Sequence, residues 1–565
     1  MLRVRRLGRV PYHEADALQR ALARRSPDDY LLFVEHPHVY TLGVRADPAH
    51  VLVDPGRVGA ALVHTDRGGD VTYHGPGQLV CYPVLDVPDR PGAGPEHVRR
   101  LEQVVISALL DVGAGALDGR IGLLSDYPGV WLDPGGPAPA KLAAVGVRTL
   151  RIDGGRRRTL HGVAVNVRPD LSMFEHIVPC GISHLAVTSL ANEGVDVTLA
   201  ELLAALVVRA VAEWGTGRTV DDEAGGSTAT PGDRPAAAGP VPVDLRLGER
   251  SLVRRLRQAG VDPDAGRAIN DRKPAWLRAP VRMGAGYRAL GRTLADLGLV
   301  TVCEEAGCPN IYECWSQGTA TFMINGDRCT RACGFCLVDT RHPLPLDPDE
   351  PERVAEAVAR MDLAHAVVTC VARDDLADGG AGAMAATVEA IRRRRPGTAV
   401  ETLISDCRGV DADLTTIFAA APDVLNHNIE TVARLQRAVR PSAGYARSLS
   451  VLARAADAGL VVKSGLMVGL GETEPEVVST LADLASVGVS IATVGQYLRP
   501  SAAHLPVARW WAPEEFDRLR RAGLELGLAH VQASPLTRSS YHARDAAGAA
   551  GVTSRGERSE VAAGR

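Results

Sequence analysis

The stretch Cys329-Thr-Arg-Ala-Cys333-Gly-Phe-Cys336 decides the fold of the second half of this chain. A second cysteine triplet, Cys303-x4-Cys308-x5-Cys314, precedes it, so six of the ten cysteines lie within 34 residues. Thiolate sulfur is the ligand that iron–sulfur clusters use, and a four-iron cluster takes one ligand per iron. Each triplet therefore leaves one iron short of a ligand. In the Cys-x3-Cys-x2-Cys spacing, a small molecule can chelate that open iron.

Two other interpretations of the cysteines remain open at this stage. A structural zinc site closes with four ligands, so each triplet would need outside help, or six thiolates would share a binuclear site. A disulfide framework is the second alternative. The chain begins Met-Leu-Arg-Val-Arg-Arg-Leu, with no apolar secretory segment and no run long enough to span a membrane. A cytoplasmic location is expected, and cytoplasmic thiols stay reduced.

The triplets and several other segments resemble a known family. The Cys-x3-Cys-x2-Cys spacing is typical of radical S-adenosylmethionine (SAM) enzymes, and Cys303-Glu-Glu-Ala-Gly-Cys308-Pro-Asn-Ile-Tyr-Glu-Cys314 resembles the auxiliary-cluster motif of lipoyl synthase. The resemblance covers roughly residues 243–545. Further matching segments are 272–278, 318–324, 373–380, 426–431, 463–473, 495–498 and 538–541. Departures from the family pattern occur at Asn325, Cys370 and Cys407.

The resemblance implies two [4Fe–4S] clusters, SAM, and an electron donor of ferredoxin or flavodoxin type. One cluster would bind SAM and yield a 5′-deoxyadenosyl radical, which removes hydrogens from carbons 6 and 8 of a protein-bound octanoyl chain. The other would supply two sulfurs. The implied ligands of the SAM cluster are Cys329, Cys333 and Cys336. The implied ligands of the sulfur-donating cluster are Cys303, Cys308, Cys314 and Ser540. The implied SAM contacts are Thr369, Asn428 and Arg440.

Length and composition indicate several soluble globular domains rather than one. The chain has 565 residues, 46% of them hydrophobic, and a net charge of −4, which excludes an overall basic nucleic-acid binder. Residues 219–242 lack periodicity and are rich in Gly, Pro, Ala and Ser, as in a flexible linker. The predicted organisation is a first domain at 1–218, this linker, a second domain at 243–545 and a disordered tail at 546–565.

Both domains are predicted to be α/β. In the second, strands alternate with helical patterns, which favours a radical SAM partial (β/α)6 barrel with N- and C-terminal extensions. Its cysteine loop follows the first strand, at the carboxyl end where barrel enzymes keep their chemistry. The predicted strands there are 319–324, 366–371, 399–404, 424–429, 461–468 and 491–497. The first domain is predicted as a mixed sheet of strands 30–36, 61–66, 71–75, 79–86, 141–149 and 157–168, with helices near 96–112 and 198–214.

Lysine is rare in this chain. Lysine and arginine total 63, but only Lys141, Lys273 and Lys463 are lysine. Arginine stays charged, whereas a buried lysine can lose its proton or act as a compact ammonium. Each lysine is therefore a candidate for a role that a guanidinium cannot fill.

Four segments of the first domain resemble the lipoyl(octanoyl) transferases of lipoate biosynthesis, over about residues 1–215. They are Arg67-Gly-Gly-Asp-Val-Thr-Tyr-His-Gly-Pro-Gly-Gln78, Lys141-Leu-Ala-Ala-Val-Gly-Val-Arg148, Thr159-Leu-His-Gly-Val-Ala-Val-Asn-Val167 and Pro179-Cys180-Gly-Ile182. The family shares its fold with the biotin and lipoate protein ligases. The resemblance implies that Cys180 takes the octanoyl group as a thioester and that Lys141 is its catalytic partner. The implied acyl-binding residues are Arg67, Gly68, Gly69, Asp70, Val71, Thr72, Tyr73, His74, Ala144, Val145, Gly146, Gly162, Val163 and Ala164.

Simple chemistry agrees with these roles. A thiolate attacks better than a thiol, and a neighbouring ammonium favours the thiolate. A neutral, desolvated lysine could instead act as a base toward the incoming amine. Cys81 lies in an apolar strand and is predicted to be a buried structural residue. His74 and His161 could be structural or could line the substrate site, and the arginines at 156–158 are predicted to form a solvated hairpin edge.

Together the two domains would serve one pathway. The first domain would move an octanoyl group from octanoyl-acyl carrier protein to a lysine of a lipoyl-carrier domain. The expected carriers belong to the 2-oxoacid dehydrogenases and the glycine cleavage H protein. The second domain would insert two sulfurs. Neither nucleic acid nor a membrane is an expected partner. One alternative is an ATP-dependent lipoate ligase joined to another sulfur-inserting radical SAM enzyme. Another is a non-catalytic iron–sulfur sensor.

Overall fold

The computed structural model describes residues 1–113, 115–179, 185–222, 247–278, 285–305, 308–316 and 321–552. Contacts between Cα atoms divide the chain into two units, Met1–Ser227 and Thr228–Arg565. Cys180 and most of the predicted linker and tail lie outside the described residues.

The first unit contains thirteen described strands and three described helices. The strands are β1 Leu2–Arg9, β2 Asp29–Glu35, β3 Val39–Leu42, β4 Ala61–His64, β5 Val71–His74, β6 Gln78–Val84, β7 Asp86–Val87, β8 Ile121–Leu124, β9 Tyr127–Leu132, β10 Ala140–Arg151, β11 Arg157–Asn166, β12 Ala186–Val187 and β13 Val220–Asp222. The helices are α1 Tyr12–Arg25, α2 Ala93–Val112 and α3 Leu199–Trp214.

A large mixed sheet forms the frame of this unit. Its order is β13-β1-β2-β6-β11-β10-β9-β8, with β7 paired to β11 and β12 paired to β10. A smaller sheet, β4-β3-β5, stands apart from it. Helices α2 and α3 pack their apolar sides, including Leu109 and Leu206, against the large sheet. The predicted mixed α/β architecture is confirmed.

The first strand and the end of the unit differ from the sequence-based expectation. Strand β1 was not predicted, although the alternation of arginine with apolar residues in it is typical of a strand. Arg3 and Arg5 are nevertheless buried, since both pair with Asp221 at 2.6 and 2.9 Å. Residues 220–222, predicted as the start of the linker, form β13 and pair in parallel with β1.

The second unit contains eight strands and twelve helices among its described residues. The strands are β14 Val300–Thr301, β15 Thr321–Ile324, β16 His365–Cys370, β17 Ala399–Leu403, β18 Val424–Asn426, β19 Val462–Val468, β20 Ile491–Gln496 and β21 His530–Ala533. The helices are α4 Leu247–Gln258, α5 Ala285–Asp296, α6 Val302–Glu305, α7 Ile311–Ser316, α8 Glu350–Arg360, α9 Ala381–Arg394, α10 Asp411–Ala419, α11 Gln436–Val439, α12 Tyr445–Asp457, α13 Glu474–Ser486, α14 Pro513–Glu525 and α15 Ala543–Ala549.

These strands form one open sheet in sequence order, β14 to β21. Strands β15 to β21 are all parallel, and β14 pairs with β15 in the antiparallel sense. Within the described residues, β14 and β21 do not pair, so the barrel is partial, as predicted. All six predicted strands are present. Strand β21 adds a seventh parallel strand that the sequence analysis did not identify.

The end of the second unit extends further than predicted. Ala546 and Ala547 were placed in a disordered tail, yet they belong to α15 and are 1% and 2% exposed. They pack against Val424 and Ile491. Small side chains allow this helix to approach the sheet closely, which the alanine- and glycine-rich composition does not reveal.

Candidate functional sites

The cysteine loop leaves β15 at its carboxyl end and is held in place by backbone hydrogen bonds. The Cys329 N–H donates to the Asp339 carbonyl at 2.8 Å, and the Gly334 N–H donates to the Val439 carbonyl at 2.9 Å. The ring Nε2 of His504 lies 2.8 Å from the Cys336 carbonyl oxygen. Hydrogen bonds to three separate segments of the chain thus hold the loop in place.

The three thiols of this loop lie within electrostatic range of one another. Burial, with a smaller contribution from neighbouring cysteines, raises the pKa of Cys333 to about 12 and that of Cys336 to about 11. The Arg440 guanidinium acts in the opposite direction on the pKa of Cys333. Three clustered, half-buried thiols are a donor set that suits iron, because a bound metal removes the thiol proton outright.

The three predicted SAM contacts lie at the same end of the sheet. Arg440 is buried and donates from Nη1 to the Asn428 carbonyl at 2.8 Å. Thr369 lies in β16, where its hydroxyl donates to the Leu403 carbonyl at 3.1 Å. The Thr369 hydroxyl is therefore already engaged within the protein.

Glu430 lies near the same loop and was not singled out from the sequence. Burial raises the pKa of its carboxyl group, against the attraction of Arg440, and its charge acts on Cys333 and Cys336. Its backbone has a φ of 68°, in the left-handed region that few residues other than glycine adopt. An acidic residue just after a parallel strand was the signal available in the sequence.

The first cysteine triplet is carried by two short helices. Cys303 lies in α6 and Cys314 in α7, and the Cys308 N–H donates to the Cys303 carbonyl at 2.9 Å. Burial raises the pKa of Cys303 to about 11 and that of Cys314 to about 12, with neighbouring cysteines adding to both shifts. These thiols also lie in mutual electrostatic range, with Cys303 buried and the other two half-buried.

The segment that contains Ser540 runs beside this triplet. The Asn310 side chain donates to the Leu536 carbonyl at 2.7 Å, and the Tyr541 hydroxyl lies 3.3 Å from Glu313. The Arg538 guanidinium counteracts the burial that raises the pKa of Cys308. These contacts bring residues 536–541 to the first triplet, although they are more than 220 residues away in the chain.

The side chain of Asn428 donates to the Ser539 hydroxyl at 2.6 Å. This bond joins a predicted SAM contact to the residue before Ser540. The end of β18 and the 536–541 segment therefore lie side by side.

All nine cysteines within the described ranges are free thiols. Across the same ranges, no group of three or more Cys, His, Asp or Glu side chains converges on a position for one metal ion. A four-iron cluster distributes its thiolates over separate irons, so its ligands need not converge on one point.

A cavity with an empty volume of about 480 Å³, partly open to solvent, lies in the first unit. Twelve of the fourteen predicted acyl-binding residues line it: Arg67, Gly68, Gly69, Asp70, Thr72, His74, Ala144, Val145, Gly146, Gly162, Val163 and Ala164. The predicted residues come from separate segments that β5, β10 and β11 bring together.

Val71 and Tyr73 are the two that do not line the cavity. Both are fully buried and pack into a separate apolar cluster with Phe174 and Ile177. Successive side chains of a strand point to opposite faces, so Thr72 and His74 face the cavity while Val71 and Tyr73 face away. The period of two in β5 could have shown this from the sequence.

Arg67 and Asp70 shape the loop before β5. The Arg67 guanidinium donates to the Thr41 and Asp70 carbonyls, both at 2.6 Å, and to the Thr41 hydroxyl. The Asp70 carboxylate accepts from the Val71 N–H at 2.6 Å and lies 2.6 Å from the His50 ring. Both side chains therefore hold the loop in place as well as bordering the cavity.

Glycines in two strands that line the cavity allow close backbone approaches, to β6 at Gly162 and to the loop before β5 at Gly146. A Cβ atom on Gly162 would overlap the carbonyl oxygen of Cys81, and one on Gly146 would lie 3.1 Å from the Gly68 carbonyl oxygen. Backbones at these positions approach more closely than side chains would allow.

Three further polar side chains line the cavity: His161, for which a substrate-lining role was one prediction, and Tyr12 and Tyr82, which were not predicted. The His161 Nε2 lies 2.8 Å from Asp66, and the His74 Nδ1 lies 2.7 Å from Gln78. Burial lowers the pKa of His74 to about 3, so this imidazole is neutral at physiological pH. Both histidines thus make structural hydrogen bonds and line the cavity, which combines the two interpretations left open.

Lys141 lies in β10, three residues before the cavity-lining Ala144. Its ammonium is 4.7 Å from the centre of the Trp131 ring, and its side chain is 8% exposed. The buried carboxylate of Glu102 lies within electrostatic range of it. An ammonium over an aromatic face is stabilised and oriented.

Two structural predictions for this unit concern Cys81 and the arginines at 156–158. Cys81 is buried in β6, as predicted, and burial raises the pKa of its thiol. The arginines lie at the hairpin between β10 and β11, where Arg157 pairs with Arg151. The prediction that they are solvated is wrong for Arg158, which is fully buried and pairs with Asp29 at 2.7 Å. It also donates to the Ser26 and Val84 carbonyls, because three chain segments meet at that point.

Comparison with known protein families accounts for both units. Residues 323–484 match the radical SAM superfamily, and residues 258–308 match the N-terminal domain of lipoyl synthase of that family. Lipoyl synthase of Rubrobacter xylanophilus is 56% identical over 275 residues, which cover 48% of this chain and 86% of that protein. The chain belongs to the lipoyl synthase family. Lipoyl synthase of Mycobacterium tuberculosis is 54% identical over 273 residues, covering 48% of this chain and 88% of that protein.

The first unit matches a different family. Residues 11–210 match the lipoyl protein ligase A/B catalytic domain, so the chain joins a lipoate ligase-like domain to a radical SAM lipoyl synthase domain. Among solved structures, one described as a bi-partite lipoate protein ligase and its E2 lipoyl domain from Thermoplasma acidophilum aligns with a TM-score of 0.32 at 21% identity, over 39% of this chain and 87% of that chain.

Iron–sulfur clusters and SAM are the cofactors of a radical SAM lipoyl synthase, and the two sets of free, mostly half-buried thiols suit iron–sulfur ligation. The ligase-like domain implies protein substrates that carry lipoyl domains. No described helix is both long enough and apolar enough to span a membrane.

Proposed function

We propose that the chain carries out two consecutive steps of protein lipoylation. The first unit transfers an octanoyl group to a lysine of a lipoyl-carrier domain, and the second unit inserts two sulfurs into that octanoyl group. The observation that carries the first step is the cavity itself. Twelve of the fourteen predicted acyl-binding residues line it, and Lys141 lies on the same strand as three of them.

In the first step, the Cys180 thiolate attacks the thioester carbonyl of octanoyl-acyl carrier protein. The carrier thiol leaves, and the octanoyl group remains on Cys180 as a new thioester. The amine of the target lysine then attacks this carbonyl, an amide forms, and the Cys180 thiol is released. As an ammonium, Lys141 stabilises the Cys180 thiolate and gives a proton to the departing carrier thiolate. The neutral amine of Lys141 then takes the proton of the attacking lysine amine and returns it to the Cys180 thiolate as that leaves. Thioester exchange followed by amide formation requires no ATP.

In the second step, the chain's own residues hold the reacting groups at the carboxyl end of the open barrel. Cys329, Cys333 and Cys336 hold one [4Fe–4S] cluster, and Thr369, Asn428 and Arg440 contact SAM. Cys303, Cys308, Cys314 and Ser540 hold a second cluster. When bound, these cofactors supply the radical that removes hydrogen from carbons 6 and 8 and the two sulfurs that replace it.

The arrangement around Ser540 supports this assignment. A serine alkoxide is a hard ligand on a soft cluster, so its bond to iron is weaker than that of a thiolate. Such a labile ligand suits a cluster that gives up sulfur. The hydrogen bond between Asn428 and Ser539 connects the SAM side to the sulfur-donating side.

The partners follow from the two reactions. The donor is octanoyl-acyl carrier protein, and the acceptors are lipoyl-carrier domains of the 2-oxoacid dehydrogenases and the glycine cleavage H protein. A ferredoxin- or flavodoxin-type protein supplies electrons.

The decisive experiment is intact-mass analysis of an apo lipoyl-carrier domain after anaerobic incubation. The mixture contains reconstituted full-length chain, octanoyl-acyl carrier protein, SAM and a reductant, and omits ATP. The expected product gains one octanoyl group and then two sulfurs. Cys180→Ser should abolish both gains, whereas Cys333→Ala should stop the reaction at the octanoylated carrier.

Other outcomes would favour the alternatives. Octanoylation that requires free octanoate and ATP would indicate a ligase and overturn the transferase. Reconstituted iron without any SAM cleavage or sulfur gain would indicate a sensor.

A further inference from the structure

Arg331 lies between the first two cysteines of the Cys329–Cys336 loop and has no role in the reaction described so far. Its side chain is 7% exposed. Its guanidinium binds the Asp374 carboxylate with two hydrogen bonds, Nε–Oδ2 at 2.7 Å and Nη2–Oδ1 at 2.8 Å. The same Nη2 lies 2.6 Å from Oδ1 of Asp406. Planar, two-point binding of this kind fixes both the position and the orientation of the arginine.

The two carboxylates belong to neighbouring strand ends. Asp374 follows β16 and Asp406 follows β17, so Arg331 ties the cysteine loop to two consecutive turns of the open barrel. Thr330 adds to this attachment, since its N–H donates to the Ala372 carbonyl at 3.0 Å and its hydroxyl accepts from the Asp374 N–H at 3.0 Å.

The backbone of Arg331 also contacts a cluster ligand directly. Its N–H donates toward the Cys329 sulfur, with 3.4 Å between nitrogen and sulfur. Hydrogen bonds to ligand sulfur and the net charge around a cluster are two main determinants of its reduction potential. Here the hydrogen bond to the Cys329 sulfur and the charge beside the loop both depend on Arg331.

Two carboxylates and two arginines meet beside the cysteine loop. One guanidinium faces two carboxylates, and Asp406 is fully buried. A second arginine, Arg447, lies 3.7 Å from the other oxygen of Asp406. Without the Arg331 charge, two carboxylates would stand next to the cysteine loop. Negative charge there opposes the arrival of an electron.

We infer that Arg331, held by Asp374 and Asp406, is a positioning residue that fixes the N–H contact to the Cys329 sulfur and sets how easily a cluster on this loop is reduced. The inference rests on the cluster assigned to this loop under the proposed function. Arg331 acts through the loop and through charge and does not itself bind iron or substrate.

The test is a redox titration of the cluster followed by electron paramagnetic resonance. The full-length chain carries Cys303→Ala, Cys308→Ala and Cys314→Ala, so that the signal comes from the Cys329–Cys336 loop alone. We expect Arg331→Gln to shift the midpoint potential to a more negative value and Asp406→Asn to shift it to a more positive value. Arg331→Lys should restore most of the potential, because it keeps the positive charge.

Opposite signs are the diagnostic feature, because a merely structural role would not produce them. Shifts of the same sign in Arg331→Gln and Asp406→Asn, or equal potentials in all variants, would overturn the inference. If Arg331→Gln does not retain iron, Asp374→Asn and Asp406→Asn should each shift the potential to a more positive value while Arg331→Lys leaves it nearly unchanged, and an unchanged or more negative potential in both aspartate variants would overturn the inference. Arg434→Gln is the matched control, since Arg434 is a partly buried arginine paired with Glu476 at 2.6 Å, and it should not change the potential.

The outcome also separates this inference from the proposed function. A parent chain with the intact loop that shows no reducible iron signal would contradict the cluster assignment and the inference with it. A normal cluster with a potential that does not respond to Arg331 or Asp406 would contradict only the inference.

Discussion

Two of the three lysines occupy buried positions where an ammonium has a specific neighbour. Lys141 lies over the Trp131 ring, and Lys463 is fully buried and pairs with Glu401 at 2.8 Å. Lys273 is exposed. In a chain with 60 arginines, the two buried lysines fit the expectation that surviving lysines fill places where a guanidinium is too large or too permanently charged.

Lys141→Arg should reduce octanoyl transfer by about 100-fold or more, because a guanidinium stays charged and cannot accept the proton of the attacking amine. The measurement is the initial rate of carrier octanoylation by intact mass. Lys273→Arg is the control and should retain the full rate. If Lys141→Arg octanoylates the carrier nearly as fast as the parent, Lys141 does not accept the proton of the attacking amine.

Gly162→Ala should destabilise the first unit by about 1–3 kcal/mol, because the added methyl overlaps the Cys81 carbonyl oxygen within the central sheet. The midpoint of thermal unfolding should be lower than that of the parent. The rate of carrier octanoylation should be lower as well. Gly94→Ala is the control, since no atom lies within 4 Å of its added Cβ and the residue belongs to α2. An unchanged midpoint for Gly162→Ala would show that β6 and β11 can separate at little cost.

At the level of elements, the parallel strands of the second unit share a buried ionic group. Glu401 of β17 pairs with Lys463 of β19, accepts from the Asn426 side chain at 3.2 Å, and lies 3.6 Å from His365 of β16. Four neighbouring strands are thus connected inside the sheet. Burial alone would raise the pKa of Glu401, but Lys463 and His365 outweigh it and hold the pKa at about 2.

Lys463→Met should lower the free energy of unfolding of the second unit by about 3–5 kcal/mol, because it leaves the Glu401 charge buried without its partner. Urea unfolding followed by tryptophan fluorescence measures the loss. The double variant Lys463→Met/Glu401→Leu should recover most of it, since both charges are then absent. A double variant as unstable as the single one would show that the packing of Lys463, not its charge, is what matters.

The same pair predicts an acid limit of stability. The folded pKa of Glu401 is about 2, below the unfolded value of about 4.3. The stabilisation is therefore complete above about pH 4.3 and is lost as the pH falls toward 2. The free energy of unfolding, measured at pH 7 and at pH 3, should be lower at pH 3. The difference between the two pH values should be smaller in Glu401→Gln than in the parent. An equal acid loss in Glu401→Gln would assign the effect to other carboxylates.

At the level of the whole molecule, two catalytic units share one chain, and the product of the first is the substrate of the second under the proposed function. A shared chain raises the local concentration of a carrier that has just been octanoylated, provided that the carrier can reach both units. The sequence between the units, 223–246, is rich in Gly, Pro and Ala.

The fused chain should therefore form the lipoylated carrier with a shorter lag than a mixture of two single-site variants, Cys180→Ser and Cys333→Ala. Each variant supplies the activity that the other lacks. The difference should be large at nanomolar enzyme and should disappear at micromolar enzyme, because free diffusion then suffices. Time courses by intact mass measure the lag. Equal lags at all concentrations would show that the fusion gives no kinetic advantage.

Local patterns alone predicted much of this molecule. The alternation of strands and helices predicted two α/β units with a partial barrel in the second. The residues that line the cavity in the first unit were implied by the resemblance of its glycine-rich segments to the octanoyltransferases. These features are encoded by residues close together in the chain, where periodicity and spacing are visible.

The tertiary structure decided which distant groups meet. Arg158 is buried because three segments converge on it, and Arg331 finds its partners 43 and 75 positions later in the chain. Asn428 bonds to a serine 111 residues away, and α15 covers a sheet that begins far upstream. Such contacts depend on how strand ends converge when the sheet assembles, because burial and charge pairing are properties of the folded packing and not of any local stretch.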